Sequence, residues 1–83
     1  MSSDQARQET AIIRRVLGGE RDAYGLLVER YNGSLFRYLA RMTGQPAEAE
    51  DLAQEAFLRA YLSLASYDPT YRFSTWLFRT ATP

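Results

Sequence analysis

Eighty-three residues make a single domain with a modest core, because a chain this short buries only about 60% of its extended surface. It contains neither cysteine nor histidine, which excludes a disulfide framework, a thiolate metal site and the commonest general base. Ten acids balance ten basic residues, every one of them arginine; zero net charge argues against a nonspecific nucleic-acid coat but leaves local segregation of charge open.

The reactive side chains that remain are carboxylates, hydroxyls and arginines, and no catalytic constellation can be built from them. No enzyme activity, metal or cofactor is expected. No signal peptide and no apolar run of about 20 residues is visible, so a soluble, cytoplasmic protein with no membrane partner is expected.

In chain order the pattern is helical throughout. A first helix is predicted from about Asp4 to Leu17, capped by Ser3 or Asp4, with Ile12, Ile13, Val16 and Leu17 as its apolar stripe and Gly18-Gly19 as its stop. In the second, Tyr24, Leu27, Val28, Tyr31, Leu35, Tyr38, Leu39 and Met42 recur at helical spacing. Asn32-Gly33-Ser34 predicts a kink or break within it, and Thr43-Gly44 its end.

Pro46 suits the first position of a third helix, where its missing N–H costs nothing. Glu48, Glu50 and Asp51 in the first turns complement the helix dipole. Leu52, Ala56, Phe57, Ala60, Tyr61 and Leu64 form its expected buried stripe. Tyr67-Asp68-Pro69-Thr70 reads as a turn, and a fourth helix starts near Phe73 or Ser74. The fold expected is all-α, a small bundle of three to four helices with short connections.

Two surfaces carry chemistry. On the third helix Glu48, Asp51, Glu55 and Leu58 share one strip, with Gln54 beside it; like charges at this spacing cost a few tenths of a kcal/mol each. Arg59 offsets part of that. Such a cluster either faces a basic partner or is simply a solvated face. On the second helix Arg30, Arg37 and Arg41 lie near one polar line that could hold phosphates, or is only its wet side.

The other surface is aromatic. Tyr67, Tyr71, Phe73, Trp76 and Phe78 crowd together beside Arg72 and Arg79. Some of these rings must be core, with Phe73, Trp76 or Leu77, and Thr80 on one inward face. Rings left outside offer stacking platforms for unpaired bases, at roughly 1–3 kcal/mol per base.

The residues resemble region 2 of the extracytoplasmic-function (ECF) sigma factors, bacterial initiation subunits of RNA polymerase. The resemblance rests on Arg21-Asp22-Ala23-Tyr24, Leu27-Val28-Glu29-Arg30-Tyr31 and Leu35-Phe36-Arg37-Tyr38. It continues through Ala49 to Tyr61, where Asp51-Leu52-Ala53-Gln54-Glu55-Ala56-Phe57 is the most specific stretch, and through Phe73-Ser74-Thr75-Trp76-Leu77-Phe78-Arg79.

The resemblance implies that Asp51, Gln54 and Glu55 dock on the clamp helices of the largest subunit of RNA polymerase core, with Leu52 and Phe57 facing the domain core. It implies that the loop from Ser66 to Arg72 captures a base flipped from the promoter −10 element, and that the helix from Phe73 contacts the single strand. Tyr67, Tyr71, Arg72, Phe73, Ser74, Thr75, Trp76 and Arg79 form the implied DNA-binding set, Trp76 being either core or contact. An anti-sigma factor is a further partner. The alternative function is a sigma-like interaction module that binds polymerase or an anti-sigma factor without opening DNA. Against the family pattern, the fourth helix stops at Thr80-Ala81-Thr82-Pro83, and no −35-reading helix-turn-helix (region 4) follows. The expectation is therefore a region 2 domain over 1–83, truncated in its last helix.

Overall fold

Glu9, Ile12, Ile13 and Val16 recur at spacings of three and four, and all four are buried. That stripe lays the first helix, α1 (Ser2–Leu17), against the rest of the chain. The computed structural model describes residues 2–82, the first two of these by backbone alone. Since α1 begins at Ser2, Asp4 stands in its first turn rather than at the cap, and the Ser3 side chain lies outside the described part. Leu17 was expected in the stripe but is exposed. The helix ends at Gly19, whose φ of 111° is open to glycine without strain. This lets the Glu20 N–H donate to the Arg15 carbonyl at 2.9 Å, while the Glu20 carboxylate pairs with the Arg15 guanidinium.

A short 3-10 turn, Arg21–Ala23, leads into α2 (Tyr24–Thr43). The interruption expected at Asn32-Gly33-Ser34 is absent, and α2 runs unbroken for 20 residues. The reason is energetic. A glycine in a helix interior costs only about 1 kcal/mol, whereas Leu27, Tyr31, Leu35 and Leu39, four apart, are all buried on one face. Met42 and Tyr38, expected in that face, are exposed at its edge. Gly44, at φ 69°, ends the helix.

Pro46 opens α3 (Pro46–Leu62) as its first residue. Ala49, Ala53, Ala56, Phe57 and Ala60 form its buried seam, which α2 packs along. Leu52 and Tyr61 are half-buried beside that seam, and Leu64 is buried in a separate 3-10 turn, Leu64–Ser66, rather than in the helix. The Tyr24 hydroxyl donates to the Phe57 carbonyl at 2.6 Å, and its ring meets Tyr61 edge-on at 5.1 Å, tying the start of α2 to α3.

The last helix, α4 (Phe73–Ala81), packs on α3 through Phe73, Leu77 and Ala81. Thr80 and Trp76, expected on the inward face, are only half-buried; the four-residue spacing of Phe73, Leu77 and Ala81 claims that face instead. The Pro83 stop lies outside the described residues. Among them there is no strand, and no helix is long and apolar enough to cross a membrane.

Glu9 is the anomaly in this core. The residue is 3% exposed, and its carboxylate would be costly to bury alone. It is met by the Tyr31 hydroxyl, by the Arg30 guanidinium at 3.0 Å and by the Gln5 amide at 3.4 Å, all at one oxygen, Oε2. Burial, and then the hydrogen bond to Glu9, push the Tyr31 phenol up to about 12, and burial raises Tyr24 and Tyr67 as well. A phenol whose folded pKa lies above its unfolded value of about 10 stabilises the fold fully below pH 10. That contribution is lost as pH rises from about 10 to 12. Circular dichroism in urea should show stability level to about pH 10 and falling above it, with a shallower fall in Tyr31→Phe. An equally steep fall in that variant would contradict the assignment.

Candidate functional site

The exposed side of α3 carries Asp51, Gln54 and Glu55 in adjacent turns, with Glu48 one turn before and Leu58 one turn after. The alanines of the opposite side force this display, because they hold that side of α3 against its neighbours. Glu55 forms an ion pair with Arg59 at 2.6 Å. Both groups are solvated, so the pair contributes only a few tenths of a kcal/mol and yields readily to a competing partner. Phe57 faces the core, and Leu52 packs half-buried against it.

Beside this strip runs an open groove of about 640 Å³ between the start of α2 and α3, lined by Arg21, Tyr24, Val28, Phe57, Leu58 and Tyr61. Leu58 and, one turn on, Leu62 are the exposed large apolar residues of α3. This face of α3 is thus an acidic strip that becomes apolar along the helix. The apolar half was legible in the sequence only as a lone leucine at the end of the acidic strip.

The aromatic surface is built by the loop between the 3-10 turn and α4. Asp68 folds the loop locally. Its carboxylate accepts the Thr70 N–H at 2.9 Å and the Thr70 hydroxyl at 2.8 Å. These bonds favour the charged form and hold the Asp68 carboxyl below its usual range. The Tyr67 hydroxyl donates to the Tyr71 carbonyl and closes the loop. Its ring lies 5.2 Å from Trp76 and 5.9 Å from Phe73. The Arg79 guanidinium sits over the Tyr71 ring at 5.5 Å, a cation–π contact on a ring about half exposed.

The implied DNA-binding set therefore divides. Tyr67, Tyr71, Trp76 and Arg79 come together on one edge, with Arg72 exposed at the start of α4 and Thr75 exposed on its first turn. Ser74 is half-buried. Phe73 cannot stack on a ligand, because its ring is 1% exposed and packs on Tyr31, Tyr67 and Trp76 at 5.9 Å each. It supports the edge from beneath. Trp76 is both things at once: it packs on Tyr67 and Phe73 and keeps part of its surface outside. Of the three arginines on α2, Arg30 is committed to Glu9 and Gln8, which leaves Arg37 and Arg41 on the exposed side.

Sequence reasoning missed the cleft of about 150 Å³ between α1 and this loop, where Glu9 and Thr10 face Tyr67, Thr70, Tyr71 and Arg72 over Phe73. The signal that could have found it is an acid in register with Ile12, Ile13 and Val16, where an apolar residue belongs.

A family model for Sigma-70 region 2 matches residues 27–82. The chain belongs to the Sigma-70 region 2 family. Among curated proteins it is 46% identical over 70 residues to the ECF RNA polymerase sigma factor SigW of Bacillus subtilis, covering 84% of this chain and 37% of that protein. It is 36% identical over 74 residues to the RNA polymerase sigma-H factor of Pseudomonas aeruginosa, covering 89% of this chain and 38% of that one. The chain thus spans well under half the length of these relatives. An engineered region 2 of sigmaE, solved by NMR in complex with GTAAAA, superposes with a TM-score of 0.77 at 38% identity, over 86% of this chain and 74% of that one.

Proposed function

We propose that this chain is the promoter-opening module of an ECF-type sigma factor. In this reading Asp51, Gln54 and Glu55 dock on the clamp helices of RNA polymerase core, and the loop with α4 holds unstacked bases of the −10 element. Such a module works in the cytoplasm, where polymerase and promoter are. The observation that carries the reading is the pairing of Tyr71 with Arg79 on an edge backed by Tyr67 and Trp76. It offers a ring for stacking and a cation for phosphate within one nucleotide's reach. The likeness to a region 2 solved with GTAAAA supports it.

The chemistry needed is binding alone. Opening a duplex costs a few kcal/mol per extruded base, and stacking plus backbone contacts must offset that cost. The reading is tested with single-stranded GTAAAA in a salt series. Binding should weaken with salt, and Arg79→Ala should reduce the log–log slope by about 0.7, the share of one phosphate on a single strand. Tyr71→Ala should weaken binding by roughly 1–3 kcal/mol at every salt concentration. Salt-independent binding, or none even with polymerase present, would remove the DNA role and leave a protein-interaction module.

A further inference from the structure

We infer that Glu9 is a positioning residue for the aromatic edge: acting through Tyr31 and Phe73, it fixes the orientation in which Tyr67, Tyr71 and Trp76 are held. The inference rests on the proposed DNA role and goes beyond it, because α1 lies outside the matched residues 27–82 and has no part assigned in that role.

Stability does not explain a carboxylate at position 9. It stands in register with Ile12, Ile13 and Val16, where a leucine or methionine would bury without the cost of desolvating a charge. Buried ion pairs are often replaced by apolar groups of similar volume with no loss of stability. What the carboxylate supplies instead is direction. Apolar contact is non-directional and lets a ring tilt, whereas Tyr31, Arg30 and Gln5 all donate to one oxygen of Glu9, Oε2. The Tyr31 hydroxyl is pinned by that bond, and the tilt of its ring is set with it.

That ring is the first of a connected series. Tyr31 packs on Phe73 at 5.9 Å, and Phe73 packs on Tyr67 and Trp76 at the same distance. Tyr67 in turn donates its hydroxyl to the Tyr71 carbonyl, and the Tyr71 ring carries the Arg79 guanidinium. The charge of Glu9 is felt as far as the loop: after burial, it is the next cause that raises the Tyr67 phenol, which favours the protonated hydroxyl that donates to Tyr71. Phe73 is fully enclosed, so a tilt of Tyr31 finds no slack there and passes to the outer rings. In this way α1 acts on the edge through α2 and Phe73.

The test removes both partners at once. Glu9→Met with Tyr31→Phe takes away acid and hydroxyl together, and Arg30, one-third exposed, turns to water. The double variant should melt within about 5 °C of the parent by circular dichroism. It should nonetheless bind single-stranded GTAAAA about tenfold more weakly, a loss within the worth of one base stack. Glu9→Gln, whose amide oxygen still accepts from Tyr31 and Arg30, should keep most of the parent's affinity. A merely structural acid predicts another pattern, in which affinity follows melting alone. Tyr31→Phe by itself, smaller by one oxygen, decides the matter if the double variant does not fold, and about threefold weaker binding is expected of it. Parental affinity in a folded double variant, or in Tyr31→Phe, overturns the role of Glu9 and leaves the DNA role standing. Absence of GTAAAA binding by the parent overturns both.

Discussion

Replacing Phe73 with alanine is expected to cost about 3–5 kcal/mol of stability, the range for emptying an aromatic site in a packed core. The ring is the joint of the molecule. It touches Tyr31 of α2, Tyr67 of the loop and Trp76 of its own helix, each at 5.9 Å, so no single element can shift to fill the gap. A small domain holds only about 5–15 kcal/mol in total, and the variant should sit near the edge of folding. Urea denaturation followed by circular dichroism measures the loss, and Phe73→Leu should recover most of it. A loss below about 1 kcal/mol would mean the aromatic cluster contributes little. The functional consequence follows from the same geometry: Tyr67 and Trp76 rest on Phe73, so the edge loosens before the domain unfolds.

Ala53→Leu should cost about 1–3 kcal/mol, for the opposite reason. Ala49, Ala53, Ala56 and Ala60 are each 2% exposed or less, and they are small because α3 must approach its neighbours closely. Three added heavy-atom positions have nowhere to go without driving the helices apart. That movement would also turn the strip carrying Asp51, Gln54 and Glu55. A surface control on the same helix, Leu58→Ala, should stay within about 0.5 kcal/mol. The same urea series reads both variants, and equal effects at Ala53 and Leu58 would contradict the close-packed seam.

Much of this was legible before any coordinates. Proline at the head of α3 and glycines after α1 and α2 mark real boundaries because each acts through local backbone chemistry that tertiary context rarely reverses. The break expected at Asn32-Gly33-Ser34 did not occur, since a weak local preference met a strong four-residue apolar repeat. Faces were read less well than helices. Leu17 and Met42 stand at the margins of their stripes, where a helix turns away from its neighbour, and periodicity alone does not say where contact ends. The seam of α3 was only half seen, because Ala49 and Ala53 look neutral until a neighbour lies against them. For the candidate site, the sequence placed Tyr67, Tyr71, Trp76 and Arg79 in one stretch and Phe73 on the inward face; what periodicity did not show is that Trp76 and Thr80 are only half-buried, and the resemblance alone carried Phe73 into the DNA-binding set. Glu9 was invisible, because its partners Arg30 and Tyr31 lie more than twenty residues away.

In the proposed function this domain docks on polymerase and holds promoter bases, which a titration against RNA polymerase core beside a Gln54→Ala, Glu55→Arg double variant tests. These positions are exposed, and the one ion pair lost, Glu55 with Arg59, is a solvated one, so the variant should melt with the parent domain. Tight binding by the parent and at least about a hundredfold weaker binding by the variant are expected, since reversing a charge at a docked face costs several kcal/mol. Equal binding by the two, or none by either, would mean that the acids of α3 are only a solvated face and that the domain does not dock through them.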